Sequence, residues 1–239
     1  MRLSTSSTPN RPEFRRNRLL HAVMAAFGVI WLAAAVAPRD RADWAMENLL
    51  VVSLIGGLAG TYRVLPLSDV SYLCLAAFLL LHTMGAHYTY PEVPLGEWAG
   101  DRFGWERNHY DRLVHFGFGL LMAYPIREVV LRGADVRGPF SYFLAVETTL
   151  ALSAAYELLE WGAATVLAPE LGSVYLGAQG DEWDAQKDML AAVAGAVIAM
   201  TITATAGRRP PGSGPGKPPA RRGGTPPSSG RIPPHRRTP

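Results

Sequence analysis

The chain has 239 residues, of which 49% are apolar and only 18% charged, against roughly 25% charged in an ordinary soluble domain. The net charge is +3, and because much of the basic excess sits in the two tails, no nucleic-acid partner is indicated. The one cysteine, Cys74, lies in an apolar run, which excludes a disulfide within the chain and a thiolate-rich metal site.

In chain order, residues 1–18 are a basic N-tail, and Arg15, Arg16 and Arg18 precede an apolar run at 19–37. Ala35, Val36 and Ala37 resemble a signal-peptidase site, but Pro38 would hinder the cut and the run is long enough to span, so an uncleaved first helix is expected. Further apolar runs at 44–62, 67–87, 112–131, 139–168 and 184–206 each approach or exceed the roughly 20 residues that a bilayer demands. The expected fold is an all-α polytopic membrane helical bundle, with six transmembrane helices over 19–206. Seventeen of the 23 Lys and Arg residues fall on one side of these spans and six on the other, which makes both termini cytoplasmic, N-in and C-in. Residues 207–239 are rich in Pro, Gly, Arg and Ser, and read as a disordered basic cytoplasmic tail drawn to anionic lipid.

The connections between the third and fourth spans and between the fifth and sixth are long and aromatic. Tyr88, Tyr90, Trp98, Trp105, Tyr110, Tyr175 and Trp183 suit an interfacial belt there. The spans themselves carry ionisable groups at one level. His82 and His87 end the third helix, while His109, Asp111 and His115 begin the fourth. Glu157 and Glu160 lie in the last third of the fifth, and Asp181, Asp184 and Asp188 open the sixth. Isolated charges in lipid cost about 2.5–3.5 kcal/mol each, so these groups are expected to face the bundle interior and pair.

Spacing brings two groups of each helix to one face: Asp111 and His115 at i and i+4, Glu157 and Glu160 at i and i+3, Asp184 and Asp188 at i and i+4. Imidazole and carboxylate suit zinc, manganese or iron. The reading is an outward-facing polar pocket with His115, Asp184 and Asp188 as metal ligands or acid–base groups, and Glu157 or Glu160 as general base on a water. His82, His87, His109, Asp111, Gln179, Asp181 and Trp183 form its rim. A divalent metal is the candidate cofactor, and the bilayer with a lipid or cell-envelope precursor the candidate partners. The competing reading is a structural network in which Arg107 or Arg112 neutralises the acids, in a non-enzymatic scaffold or small transporter. Glu147 lies mid-helix, where a single polar neighbour is commoner than a proton path, Glu47 is expected to reach water, and Asp69, with Ser68 before it, to be a helix N-cap. Ser141, Thr148 and Ser153 have no histidine at triad spacing, which disfavours a serine hydrolase.

Five strings carry a family resemblance: HTMGAHYTYPEVP (82–94), ERNHYDRLVHFGFGL (106–120), YPIRE (124–128), YELLEW (156–161) and YLGAQGDEWDAQKDM (175–189). Together they resemble the YjdF family of bacterial inner-membrane proteins over about residues 20–205, which implies a multi-pass protein of the bacterial cytoplasmic membrane and names no reaction. More distantly, DRLVHF with a downstream Glu and an acidic last helix is similar to the VanZ-like pattern. Asp188 stands here where that pattern favours Asn.

Overall fold

The structure, a computed structural model, describes residues 14–167 and 179–206; both tails and the segment carrying Tyr175 lie outside the described residues. Seven α-helices and no strands occur among the described residues: α1 (Arg18–Ala34), α2 (Arg41–Thr61), α3 (Asp69–Tyr88), α4 (Pro94–Phe103), α5 (Tyr110–Gly133), α6 (Pro139–Leu167) and α7 (Asp184–Ala206). Four of them, α2, α3, α5 and α7, are long and apolar enough to cross a membrane. At 29 residues α6 is the longest, but Glu147, Glu157 and Glu160 lower its hydropathy. The first apolar run gives a helix of only 17 residues, about 25 Å at 1.5 Å per residue. It stops before 37 because Ala37 adopts a positive φ of 54° and precedes Pro38, a position that disfavours the helical region.

Short polar side chains set the helix starts. Asn17 accepts from the Leu20 amide at 3.0 Å, and Asp40 accepts from Ala42 and Asp43 at 2.7 and 2.9 Å. Ser68, one residue before the Asp69 expected in that role, caps α3 through the Ser71 amide. Each such bond satisfies a donor that has no partner inside the helix. The long connection before α5 folds into α4, with Pro94 in its first turn and Gly104 in the left-handed conformation ending it, the usual asymmetry of Pro at the start and Gly past the end.

The helix α5 occupies the middle and packs against α3, α6 and α7, whereas α1 and α2 attach through α3. Its closest neighbour is α7, along a line of small residues: Gly119 on α5 meets Ala192 and Ala196, and Gly195 on α7 meets the Phe116–Leu120 backbone. Ala192, Gly195, Ala196 and Ala199 are all buried there. Helices in lipid gain most of their association from such close van der Waals contact, because burying apolar side chains from lipid gains little. The chain reverses at each connection, so the N-terminal ends of α2, α5 and α7 gather with the C-terminal ends of α1, α3 and α6. The polar cluster lies at that end.

Candidate functional site

The mouth of the cluster is an ion-pair network. Arg112 Nη2 donates to Asp181 Oδ2 at 2.9 Å and to Asp184 Oδ1 at 2.7 Å, and Arg107 Nη2 lies 2.5 Å from the same Asp184 oxygen. Lys187 reaches both oxygens of Asp181, at 2.9 and 2.7 Å. The Lys187 and Arg112 hydrogen bonds hold the Asp181 carboxyl well below the usual carboxylate range. Asp181 also accepts from the Trp183 amide at 3.1 Å, fixing the turn into α7. The His109 ring stands edge-on to Trp105 at 5.0 Å. Burial, followed by the charges of Arg107 and Arg112, pushes its pKa down, leaving it neutral at pH 7.

Behind the mouth lies the centre. Ligand atoms of Asp111, His115 and Asp188 come within 4.8 Å of one another. His115 Nε2 is 3.6 Å from Asp111 Oδ1 and 3.3 Å from Glu157 Oε1, and its Nδ1 is 3.4 Å from Ser153 Oγ. Glu157 Oε1 and Asp188 Oδ1 are buried and have no hydrogen-bond partner among the described residues. Arg112 Nε stands 3.4 Å from Asp188 Oδ1, near enough for charge attraction.

A second limb starts from α6. Tyr156, whose ring stands edge-on to that of His115, donates to Glu47 Oε2 at 2.6 Å. His82 Nε2 is 3.0 Å from the Glu47 backbone oxygen and its Nδ1 is 2.7 Å from the Tyr90 hydroxyl. A carbonyl can only accept, so Nε2 carries the proton and Nδ1 accepts from Tyr90. Burial, with Glu47, Asp111 and Glu160 in electrostatic reach, holds the Tyr90 phenol well above its usual value, which keeps that donor protonated. Groups from α2, α3 and α6 therefore form a polar chain from Tyr90 to Tyr156, which meets His115 of α5 through its ring.

The structure brings His115, Glu157 and Asp188 together, and Asp111 completes the group; Asp184 is held by the two arginines instead. His82 is 1% exposed and part of the interior limb. Half-buried Glu160 reaches the cluster through its field on Tyr90. His87 stands apart, its Nδ1 against the Ala34 carbonyl at 2.8 Å, where it ties α3 to α1. Gln179 clamps Asn108, accepting from its amide and donating to its carbonyl at 3.0 Å each, and so fixes the approach to α7 against the start of α5. Trp183 is exposed and touches none of the central groups by hydrogen bond. One expectation needs correction: Glu47 does not reach water but is buried under Tyr156. Its depth, nearly two turns into α2, was the available signal. Glu147, in the middle of α6, lies on an exposed face away from the cluster.

Comparison with known proteins agrees with this architecture. Residues 19–209 match the family described as "Predicted membrane protein (DUF2238)". The chain is 35% identical over 187 residues to the inner membrane protein YjdF of Escherichia coli (strain K12), covering 78% of this chain and 89% of that relative. No solved structure matches it. The matched region contains all seven helices bar the first residue of α1, and with it both limbs of the cluster. An all-helical membrane protein of the inner membrane, the chain belongs to the predicted membrane protein family DUF2238.

Proposed function

We propose that the cluster is a membrane-embedded acid–base centre that takes a divalent metal and serves a hydrolase or transferase reaction on a lipid or cell-envelope precursor. The observation that carries this reading is the Asp111–His115–Asp188 group, with ligand atoms within 4.8 Å of one another, in which Asp188 Oδ1, like Glu157 Oε1 beside the group, is buried without a hydrogen bond among the described residues. Metal–ligand bonds of about 2.0–2.2 Å separate tetrahedral ligand atoms by about 3.3–3.6 Å, so the group needs to close by about 1 Å around an ion. Glu157 would take the proton of an attacking water, and a bound ion would supply charge to the oxygen that develops negative character. Asp184 and the arginines would hold the first turn of α7, and hence Asp188, in place. The site faces outward in a six-span chain over 19–206, with the 1–18 and 207–239 tails in the cytoplasm. The alternation of helix directions and the Lys and Arg bias favour that arrangement.

One observation favours a second reading, a non-enzymatic scaffold or small transporter: Arg107 and Arg112 already compensate Asp181 and Asp184, and a guanidinium beside Asp188 opposes a metal. Metal analysis of protein purified without chelator separates the two. The catalytic reading expects near-stoichiometric divalent metal, lost in both His115→Ala and Asp188→Asn. Metal-free protein whose unfolding is unmoved by zinc, manganese or iron would leave the structural reading standing.

A further inference from the structure

At the end of the bundle opposite the polar cluster, a cavity of about 230 Å³ is lined by Ser68, Tyr124, Arg127, Glu128, Leu131 and Arg132. Its two arginines have different circumstances. Arg132 is committed: its Nη1 donates to Glu128 Oε1 at 2.9 Å and to the Pro66 carbonyl. Glu128 in turn is saturated, since its Oε2 accepts from the Ser68 amide at 2.9 Å, the Ser68 hydroxyl at 2.7 Å and the Ser71 hydroxyl at 2.6 Å. Arg127 has no carboxylate partner among the described residues. Its Nε donates to Ser141 Oγ at 3.1 Å, and its guanidinium lies over the Tyr142 ring at 3.8 Å.

Those two contacts fix the plane of the guanidinium while leaving its charge without a carboxylate among the described residues. The cavity walls thus hold two cations against one carboxylate, and that carboxylate has both oxygens occupied. A half-buried arginine in a membrane helix without an acid is costly unless an anion completes it. Arg132 is one residue from the end of α5, so the cavity opens at headgroup depth, where the long arginine stems can run along apolar surface and keep their heads at the boundary. A planar fork matches phosphate oxygens in two-point contact.

We propose that this cavity binds a phosphate group, with Arg127 as its anchor, Arg132 as a second cation and the Tyr124 phenol in the wall. The group is that of a phospholipid headgroup, whose acyl chains run along the bundle, or a free phosphate. The proposal is independent of the chemistry assigned to the cluster at the other end.

The test is thermal unfolding of the full-length protein in a non-ionic detergent, with added phosphatidylglycerol, diacylglycerol or inorganic phosphate. Phosphatidylglycerol should raise the midpoint, diacylglycerol should not, and Arg127→Gln should weaken the apparent affinity about tenfold or more. Arg137→Gln, an exposed position paired with Asp135, should respond as the parent does. Protection by inorganic phosphate equal to that by phosphatidylglycerol would keep the site and assign it to the free anion. Equal protection by diacylglycerol, no protection by any addition, or an Arg127→Gln response matching the parent would overturn it. Should Arg127→Gln fail to accumulate, a photoreactive phosphatidylglycerol on the unaltered protein decides: adducts within 124–132 or on 141–142 support the site, and adducts confined elsewhere overturn it.

Discussion

Tyr156 joins the two limbs of the cluster, with its ring against His115 and its hydroxyl on Glu47. Replacing it with Phe keeps the ring and strips a buried carboxyl of its hydrogen bond, a loss of about 1–3 kcal/mol. Tyr156→Phe should therefore lower the unfolding midpoint measurably in detergent, whereas Trp183→Phe, at an exposed position, should leave it unchanged. At the mouth, the depressed Asp181 carboxyl gives a pH prediction. A carboxylate whose folded pKa lies below its unfolded value of about 4 contributes stability above that pH and loses it as the pH falls further. Lys187→Gln should shift the Asp181 titration upward toward about 4 but not fully, since Arg112 remains. Carboxyl carbon NMR across pH 2–6 reads this directly, and an unshifted titration would mean that Arg112 alone sets it.

Among the elements, the pair α5 and α7 carries the site, because each helix brings two groups to it and the contact between them sets their relative rotation. A Cβ at Gly195 would lie 2.7 Å from the Leu120 amide nitrogen, and one at Gly119 would lie 2.8 Å from that of Ala196. Backbone cannot yield there as a side chain would, so the helices must separate. Gly195→Val should cost about 1–3 kcal/mol or more and should disturb Asp188 and Arg112 together. An unfolding midpoint for Gly195→Val equal to that of the parent would contradict this. Element by element, the apolar runs gave the helix positions to within a few residues, because twenty lipid-compatible residues have few other uses. The i and i+4 spacing also predicted which acids share a face. What spacing could not give is the rotation of one helix against another. That rotation turns Asp184 toward the arginines and brings Asp188 beside Asp111 and His115. The helix α4 was missed for a different reason: its signals, Pro94 and Gly104, are caps without a long apolar run between them.

For the molecule as a whole, the bundle has two polar ends, and the orientation of the chain decides which compartment each one serves. Reporter fusions after residues 63, 104, 135, 180 and 209 should read inside, outside, inside, outside and inside, and an outside signal at 209 would reverse the assignment of both ends. Intact mass should show that residues 19–37 are retained, while a chain beginning at Pro38 would remove α1. The packing also has a consequence for synthesis. The helix α7 leaves the ribosome after the six other described helices, yet it carries Asp184 and Asp188, the partners of Arg107 and Arg112, and the small-residue face that α5 packs against. Until it arrives, Arg112 in the first turn of α5 lacks its Asp184 and Asp188 partners, and a charge that enters lipid costs about 2.5–3.5 kcal/mol. The first turn of α5 therefore lacks these partners until α7 inserts. The polar cluster is complete only once α7 has packed against α5.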